Sequence, residues 1–374
     1  MKQRHLDHTD TVNYGSYYTP ETLVDIVYAL IKKNVARPGD YCMLDTSCGY
    51  GGFLRGEKAI GADIDEAALQ TAKKINAEYA YFRQNSLLGI SRSQYNLPED
   101  AKIIAVGNPP YNDTTSIIRN RVKKMNFERD ADVLSRDVGI SFLLSYDKLQ
   151  INYVCVLHPL SYLIKRANFE SLGRFRKNYK LIDSVVISSG EFADTSKTTQ
   201  FPIIIALYER NPRGMEYDYI AGYDFMTHGG KTFSIQQHDS IGAYITKYPN
   251  QKTVPQEKTV ALFYTMRDIN ALKRGATFVN KENHNTIRIT KEKLPYYCYV
   301  DIFKDYIPHI PYYFGNCDIM INNAAFWESR GVFMEQSAKK HPFLRSVIGK
   351  KEHDGWEAAV NNYFKDLLAE HYVD

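Results

Sequence analysis

The first 210 or so positions carry two apolar rhythms in alternation. Leu23, Ile26, Val27, Leu30 and Ile31 recur at helical spacing, which predicts a helix over 19–34. Thr19 is placed to cap it and Pro20 to sit in its first turn. Short apolar runs predict strands at 41–45, 59–63, 79–85, 102–107, 151–157, 181–188 and 201–208. Helical spacing returns over 66–79 and 138–149. Strands alternating with helices predict an α/β fold with a mostly parallel, doubly wound sheet. Such sheets bind ligands beyond the carboxyl ends of their strands. Asp45, Asp63, Asn85 and Asn108 each close an apolar run, so all four are expected at that edge.

The alternation stops near residue 212. Asn211-Pro212-Arg213-Gly214 reads as a turn-like linker, and aromatic residues cluster beyond it (Tyr296, Tyr297, Tyr299, Tyr312, Tyr313, Phe314). Two domains are therefore expected, 1–212 and 213–374, which suits a chain of 374 residues. The pattern specifies no fold for the second.

Composition changes this picture little. A net charge of +4 neither demands nor excludes nucleic acid, because a binding face is a local property. No apolar run approaches the roughly 18 residues of a membrane span. The polar start, MKQRHLDHTD, lacks the apolar stretch of a secretory signal. The five cysteines are scattered and read as reduced, mostly buried thiols of a cytoplasmic protein. No CxxC or HxxxH spacing occurs, so no metal site is expected.

The candidate chemistry begins after the first strand. Asp45-Thr46-Ser47-Cys48-Gly49-Tyr50-Gly51-Gly52-Phe53 is a glycine-rich turn where backbone can approach a ligand closely. Alone it could be a tight strand-to-helix turn. Asp63, ending the next strand, resembles the acid that binds ribose hydroxyls in dinucleotide folds. A dinucleotide fits less well, because GxGxxG would need glycine where Leu54 stands. An adenosyl group without phosphate fits better.

Asn108-Pro109-Pro110-Tyr111 follows the strand at 102–107 and carries the most information. An aromatic amine is a poor nucleophile because its lone pair is delocalised into the ring. The Asn108 side-chain oxygen and the Pro109 carbonyl can hold its two hydrogens and turn the lone pair toward a methyl donor. Rigid prolines keep the acceptors in place, and such preorganisation is a large catalytic effect. Tyr111 can stack on the ring that bears the amine; if that ring is an adenine, it must first be flipped from its duplex.

On these motifs the sequence resembles the gamma-class N6-adenine DNA methyltransferases, over roughly residues 14–210. The family opens with a segment like Gly15-Ser16-Tyr17-Tyr18-Thr19-Pro20 and carries an Asp, Asn or Ser before Pro-Pro-aromatic. The resemblance implies a Rossmann-like class I methyltransferase domain, S-adenosylmethionine as cofactor and a C-terminal target-recognition domain for double-stranded DNA. It implies cofactor contacts from Tyr18, Thr19, Pro20, Asp45, Gly49, Asp63, Ile64, Asn85 and Asn108. Asn85 replaces the family's usual Asp. Phe192, in Ser189-Gly190-Glu191-Phe192, resembles the aromatic residue that packs on the flipped base. The segment Phe53–Lys58 is shorter than the family's helix there. Arg119, Arg121, Lys123 and Lys124 follow the catalytic motif and are candidates for DNA backbone contacts, although a charge run is often only a solvated face.

Cytosine C5 methylation would need a Pro-Cys nucleophile, which the chain lacks, and Cys48 lies inside the glycine-rich turn. Cytosine N4 enzymes more often resemble Ser-Pro-Pro-Tyr, so Asn108 favours adenine. Protein-glutamine and RNA amine methyltransferases share Asn-Pro-Pro-Tyr and remain the rival enzyme reading. A non-catalytic nucleic-acid-binding module is the rival of another class. The absence of a recognisable nuclease leaves room for a separately encoded restriction endonuclease as partner.

Overall fold

A computed structural model describes residues 19–111, 128–192, 200–349 and 356–374. The chain divides into two compact units, Met1–Phe233 and Ser234–Asp374. The division falls after the expected boundary at 212/213. The intervening stretch is built into the first unit: α7 (Tyr217–Ala221) and the hairpin β8 (Phe225–Met226)–β9 (Thr232–Phe233). Phe225 and Phe233 are buried there, and Thr227 bridges to Val186 of the main sheet.

The first unit is a Rossmann-like α/β fold around a seven-stranded sheet in the order β3-β2-β1-β4-β5-β7-β6. Its strands are β1 (Cys42–Asp45), β2 (Ala59–Asp63), β3 (Ala80–Arg83), β4 (Ile103–Gly107), β5 (Tyr153–Pro159), β6 (Tyr179–Ser188) and β7 (Pro202–Arg210). Strands β1 to β5 pair in parallel, and β7 runs antiparallel between β5 and β6. The order reverses at β1, so the edge beyond β1 and β4 is the crevice where such sheets bind ligands. Every strand expected from the apolar runs is present, with ends shifted by a few residues.

Helix α1 (Glu21–Asn34) lays Leu23, Val24, Val27, Leu30 and Ile31 on one face of the sheet, against Met43, Ile104, Cys155 and Ile205. Burying each such side chain is worth about 1.5–3 kcal/mol. The helix starts at Glu21, so Thr19 is not its cap. Pro20 takes that position with ψ of 145°, and no side chain caps the end. The Thr19 hydroxyl is engaged elsewhere.

Helix α2 (Glu66–Ile75) is capped by Asp65, whose side chain accepts from Ala67 and Ala68. It stops at Asn76, short of the expected Tyr79, because the Asn76 side chain turns back to accept from the Glu78 backbone. Helix α3 (Val138–Lys148) is buried around nearly its whole surface, as its lack of a polar stripe requires. Three short helices between β5 and β6, α4 (Ser161–Ile164), α5 (Arg166–Ser171) and α6 (Gly173–Asn178), had no clear periodic signal. Each is under two turns long, too short for periodicity to show.

No helix forms among residues 46–58, the corner where the sequence is short. Tyr28 of α1 closes it instead: its hydroxyl donates to the Phe53 carbonyl (2.7 Å) and accepts from the Arg55 amide (3.1 Å). Arg55 also pairs with Asp25 of the same helix (2.7 Å).

The second unit combines a small antiparallel sheet, β10 (Ala261–Tyr264) between β11 (Phe278–Val279) and β12 (Thr286–Ile289), with a helical core. Its helices are α8 (Ile269–Arg274), α9 (Leu294–Phe303), α10 (Asn323–Lys340) and α11 (Trp356–Leu368); of the expected aromatic cluster, Tyr296, Tyr297 and Tyr299 lie in α9 and Tyr312, Tyr313 and Phe314 in a short 3-10 turn. Tyr296, Tyr297, Tyr299, Tyr313 and Phe314 are buried, so most of that cluster is packing. Asp301 is buried there too, held by the Thr277 hydroxyl (2.6 Å), the Ser337 hydroxyl (2.9 Å) and His341 Nε2 (3.1 Å). Among the described residues no helix is long and apolar enough to cross a membrane.

Candidate active site

The carboxyl ends of β1, β2 and β4 bring the sequence-predicted residues to one edge. The turn after β1 uses left-handed backbone at Gly49 (φ 51°) and Gly51 (φ 78°), conformations that glycine adopts without strain. Asp63, at the end of β2, fixes this turn. Its Oδ2 accepts the Gly49 N–H at 2.8 Å, and its Oδ1 accepts the Asp65 N–H at 2.9 Å. Each oxygen keeps a lone pair for a further donor. Ile64, half-buried, follows directly.

Asp45 closes β1 and is 1 % exposed. Its Oδ1 accepts the Ser47 N–H at 3.0 Å. Burial, offset in part by this bond and reinforced by the charge of Asp63, pushes its carboxyl up to about 8. Burial likewise raises Asp63, against the lowering effect of its backbone bonds. Among the described residues no lysine or arginine contributes to either shift. Cys48, buried beside both carboxyls, is held far above the ordinary thiol range and is no thiolate nucleophile.

Gly107, the last residue of β4, has φ of 142°, and a Cβ there would stand 2.7 Å from Asp45 Oδ1. Gly107→Ala is expected to destabilise the protein by about 2–4 kcal/mol, through strained backbone and overpacking against a buried carboxyl. Urea unfolding checks this, and an unchanged midpoint would contradict it.

Asn108 leaves β4 at this point. Its Nδ2 donates to the Thr19 hydroxyl at 3.2 Å, which ties the start of α1 to the Asn108-Pro109-Pro110-Tyr111 segment. Its Oδ1 is buried and has no hydrogen-bond partner among the described residues. An acceptor left so is costly unless something else bonds to it. Ser47 Oγ, in the glycine-rich turn, is buried and unpartnered in the same way. Pro109 is buried, Pro110 and Tyr111 are half-buried, and Pro20 lies half-buried beside Thr19. Tyr111 packs against the core cluster that contains Phe192.

Three expectations fare differently. Phe192 is 3 % exposed and belongs to that core cluster, so its ring serves packing in this conformation. Asn85 is committed locally: its Oδ1 accepts the Leu87 N–H (3.0 Å) and its Nδ2 donates to the Glu128 carbonyl (2.7 Å). That leaves one lone pair of Oδ1 for a ligand. Tyr18, Arg119, Arg121, Lys123 and Lys124 lie outside the described residues.

Sequence reasoning missed the supports behind this edge. The Thr46 hydroxyl bonds to the Tyr146 hydroxyl of α3 (3.1 Å), and the Ser86 hydroxyl donates to the Thr46 carbonyl (2.8 Å). Asp137 caps α3 by accepting the Gly139 N–H (3.0 Å). Its position just before the helical spacing at 138 was the available signal.

No protein-family model matches the chain, and no curated protein does. Among solved structures, a candidate RNA methyltransferase of Pyrococcus horikoshii aligns at 13% identity and a TM-score of 0.36, over 53% of this chain and 88% of that one. A candidate class I S-adenosylmethionine-dependent methyltransferase of Listeria monocytogenes aligns at 14% and 0.39, over 57% and 65%. The type I restriction-modification methyltransferase subunit of Streptococcus thermophilus aligns at 14% and 0.36, over 54% and 46%. Likenesses this remote bear on neither substrate nor residue roles.

Proposed function

We propose that this chain is an S-adenosylmethionine-dependent methyltransferase acting on the N6 amine of an adenine flipped out of duplex DNA, as the modification enzyme of a restriction-modification system. The observation that carries the reading is the buried, unpartnered Oδ1 of Asn108 at the carboxyl edge of the sheet. An orphaned acceptor beside two buried carboxyls suits an amine substrate and a cationic methyl donor.

The cofactor fits the residues present. Asp63 would hold its ribose hydroxyls, Ile64 would pack on its adenine, and Asp45 would balance the cationic methionine end. Thr19, Pro20, Gly49 and Asn85 would line the same site. When bound, S-adenosylmethionine supplies an electrophilic methyl group. The chain does the rest. Asn108 Oδ1 and the Pro109 carbonyl accept the two amine hydrogens and orient the lone pair. Pro110 limits the freedom of the loop. Tyr111 offers a ring face for the base. No strong base is required, because the amine proton leaves after transfer. The second unit, Ser234–Asp374, serves as the DNA target-recognition domain, and Arg119, Arg121, Lys123 and Lys124 as phosphate contacts. A separately encoded endonuclease is the partner this role implies.

An acceptor panel tests the reading. Labelled methyl groups are expected to enter duplex DNA, not RNA or protein. Label in RNA or in protein glutamine instead would overturn the substrate class.

Cofactor affinity is expected to rise with pH. Asp45 of the free protein, raised to about 8, must lose its proton to face a cation. Affinity then climbs by up to about tenfold per unit from about pH 6 to about pH 7.5, where an α-amine is still largely protonated. The same shift makes the ligand-free protein lose stability as pH rises from about 4 to about 8, because the folded state there binds the extra proton. Titration calorimetry in buffers of different ionisation enthalpy reads the proton release. A pH-independent affinity with no release would contradict the assignment.

A further inference from the structure

Gly139, in the first turn of α3, has no room for a side chain. A Cβ on it would stand 2.5 Å from the Tyr162 hydroxyl and 3.1 Å from Tyr111 Cβ. Two tyrosines from distant parts of the chain therefore close over one bare stretch of backbone. Tyr162 lies in α4, directly after β5, and Tyr111 belongs to the catalytic motif after β4. The helix cap ties these parts together. Asp137 Oδ1 accepts the Gly139 N–H at 3.0 Å and also accepts the Tyr162 hydroxyl.

Tyr162 is fixed from behind as well. Its ring lies nearly parallel to that of His158, with centroids 5.2 Å apart and an interplanar angle of 11°. Both nitrogens of His158 are engaged. Nδ1 is 2.9 Å from the Pro159 carbonyl and Nε2 is 2.7 Å from the Tyr208 hydroxyl. A carbonyl only accepts, so Nδ1 carries the proton and Nε2 accepts from Tyr208. The ring is thus held neutral in one orientation, and burial lowers its pKa to about 4. His158 lies two residues beyond Val156, the residue of β5 that pairs with Gly107 of β4. The whole assembly backs the strand end from which the catalytic motif departs.

We propose that Asp137, Gly139 and Tyr162 form a brace that sets the position of Tyr111. Tyr162 is then a positioning residue: its hydroxyl fills the notch over Gly139 and fixes where the Tyr111 side chain begins. The consequence for turnover rests on the methyltransferase reading, whereas the positioning itself does not.

The test places 3-fluorotyrosine at position 111 of the full chain and follows its fluorine resonance. Gly139→Ala pushes a methyl group into both tyrosines, so the resonance is expected to shift or broaden. Tyr162→Phe keeps the stack on His158 but loses the bond to Asp137, and a smaller shift is expected. In the double variant Gly139→Ala/Tyr162→Phe the removed hydroxyl relieves the tightest of the methyl group's contacts, leaving those with Tyr111 Cβ (3.1 Å) and Tyr162 Cε2 (3.2 Å). Its resonance should move back toward that of Tyr162→Phe alone. An unchanged resonance in all three variants would overturn the brace. If Gly139→Ala fails to fold, Tyr162→Phe decides by itself. On DNA, Gly139→Ala should lower kcat about tenfold, within the range an ångström-scale misplacement can cost, with cofactor Kd unchanged. A rise in cofactor Kd at unchanged kcat would make the notch part of cofactor binding and also overturn the brace. Absence of turnover in the unsubstituted protein would overturn the methylation reading alone, because the fluorine resonance still decides the brace.

Discussion

Asn108→Ala is expected to lower kcat for methyl transfer by about 10²- to 10³-fold, the usual cost of removing one preorganised hydrogen-bonding group from a reacting centre. The reason lies in its side-chain oxygen, buried and unpartnered at the edge beyond β4. An acceptor in that state contributes most when it finally receives a donor, because desolvation has already been met in folding. The Nδ2 of the same side chain donates to Thr19, so alanine also frees that hydroxyl. Cofactor Kd is nonetheless expected to stay within a few-fold of the parent, since the carboxyls of Asp45 and Asp63 are untouched. Single-turnover kinetics beside calorimetric binding separates the two effects. Normal turnover would remove Asn108 from the chemistry. A large loss of cofactor affinity with normal kcat at saturation would make it a cofactor ligand only.

Asp63→Ala is expected to act on the other side of the reaction and weaken cofactor binding by roughly 100-fold. The carboxylate now accepts the Gly49 and Asp65 N–H groups, at 2.8 and 2.9 Å. In the proposed complex it would also accept from a ribose diol. Charge-assisted bonds of this kind are each worth about 1.5–3 kcal/mol, so loss of the ribose contacts alone reaches that factor. KM for S-adenosylmethionine should rise while kcat at saturation changes little. Asp63→Asn is the informative companion. Its single carbonyl oxygen can keep the Gly49 bond and the shape of the turn, so a smaller loss is expected. Equal affinity in parent and alanine variant would exclude Asp63 from ribose binding.

Much of the first unit could be read from the chain because its information is local. Strands β1, β2 and β4 are short apolar runs, each closed or directly followed by a polar residue. The residues that close them, Asp45, Asp63 and Asn108, stand at the ligand edge because a parallel sheet aligns strand ends. What could not be read depends on contacts between distant segments. Thr19 looks like a helix cap in sequence, yet its hydroxyl bonds to Asn108, 89 positions away. Phe192 carries no local mark of its burial, which comes from the core cluster around α1 and β7. Gly139 looks like an ordinary glycine at a helix start until Tyr111 and Tyr162 are seen against it. The second unit was opaque for a related reason. Its strands have two to four residues, too few to establish an alternation.

The most direct test incubates the protein with labelled S-adenosylmethionine and unmethylated genomic DNA, followed by digestion to nucleosides. Label confined to N6-methyl-deoxyadenosine is the expected result. Label in N4-methyl-deoxycytidine, or none in DNA at all, would contradict the proposed reaction.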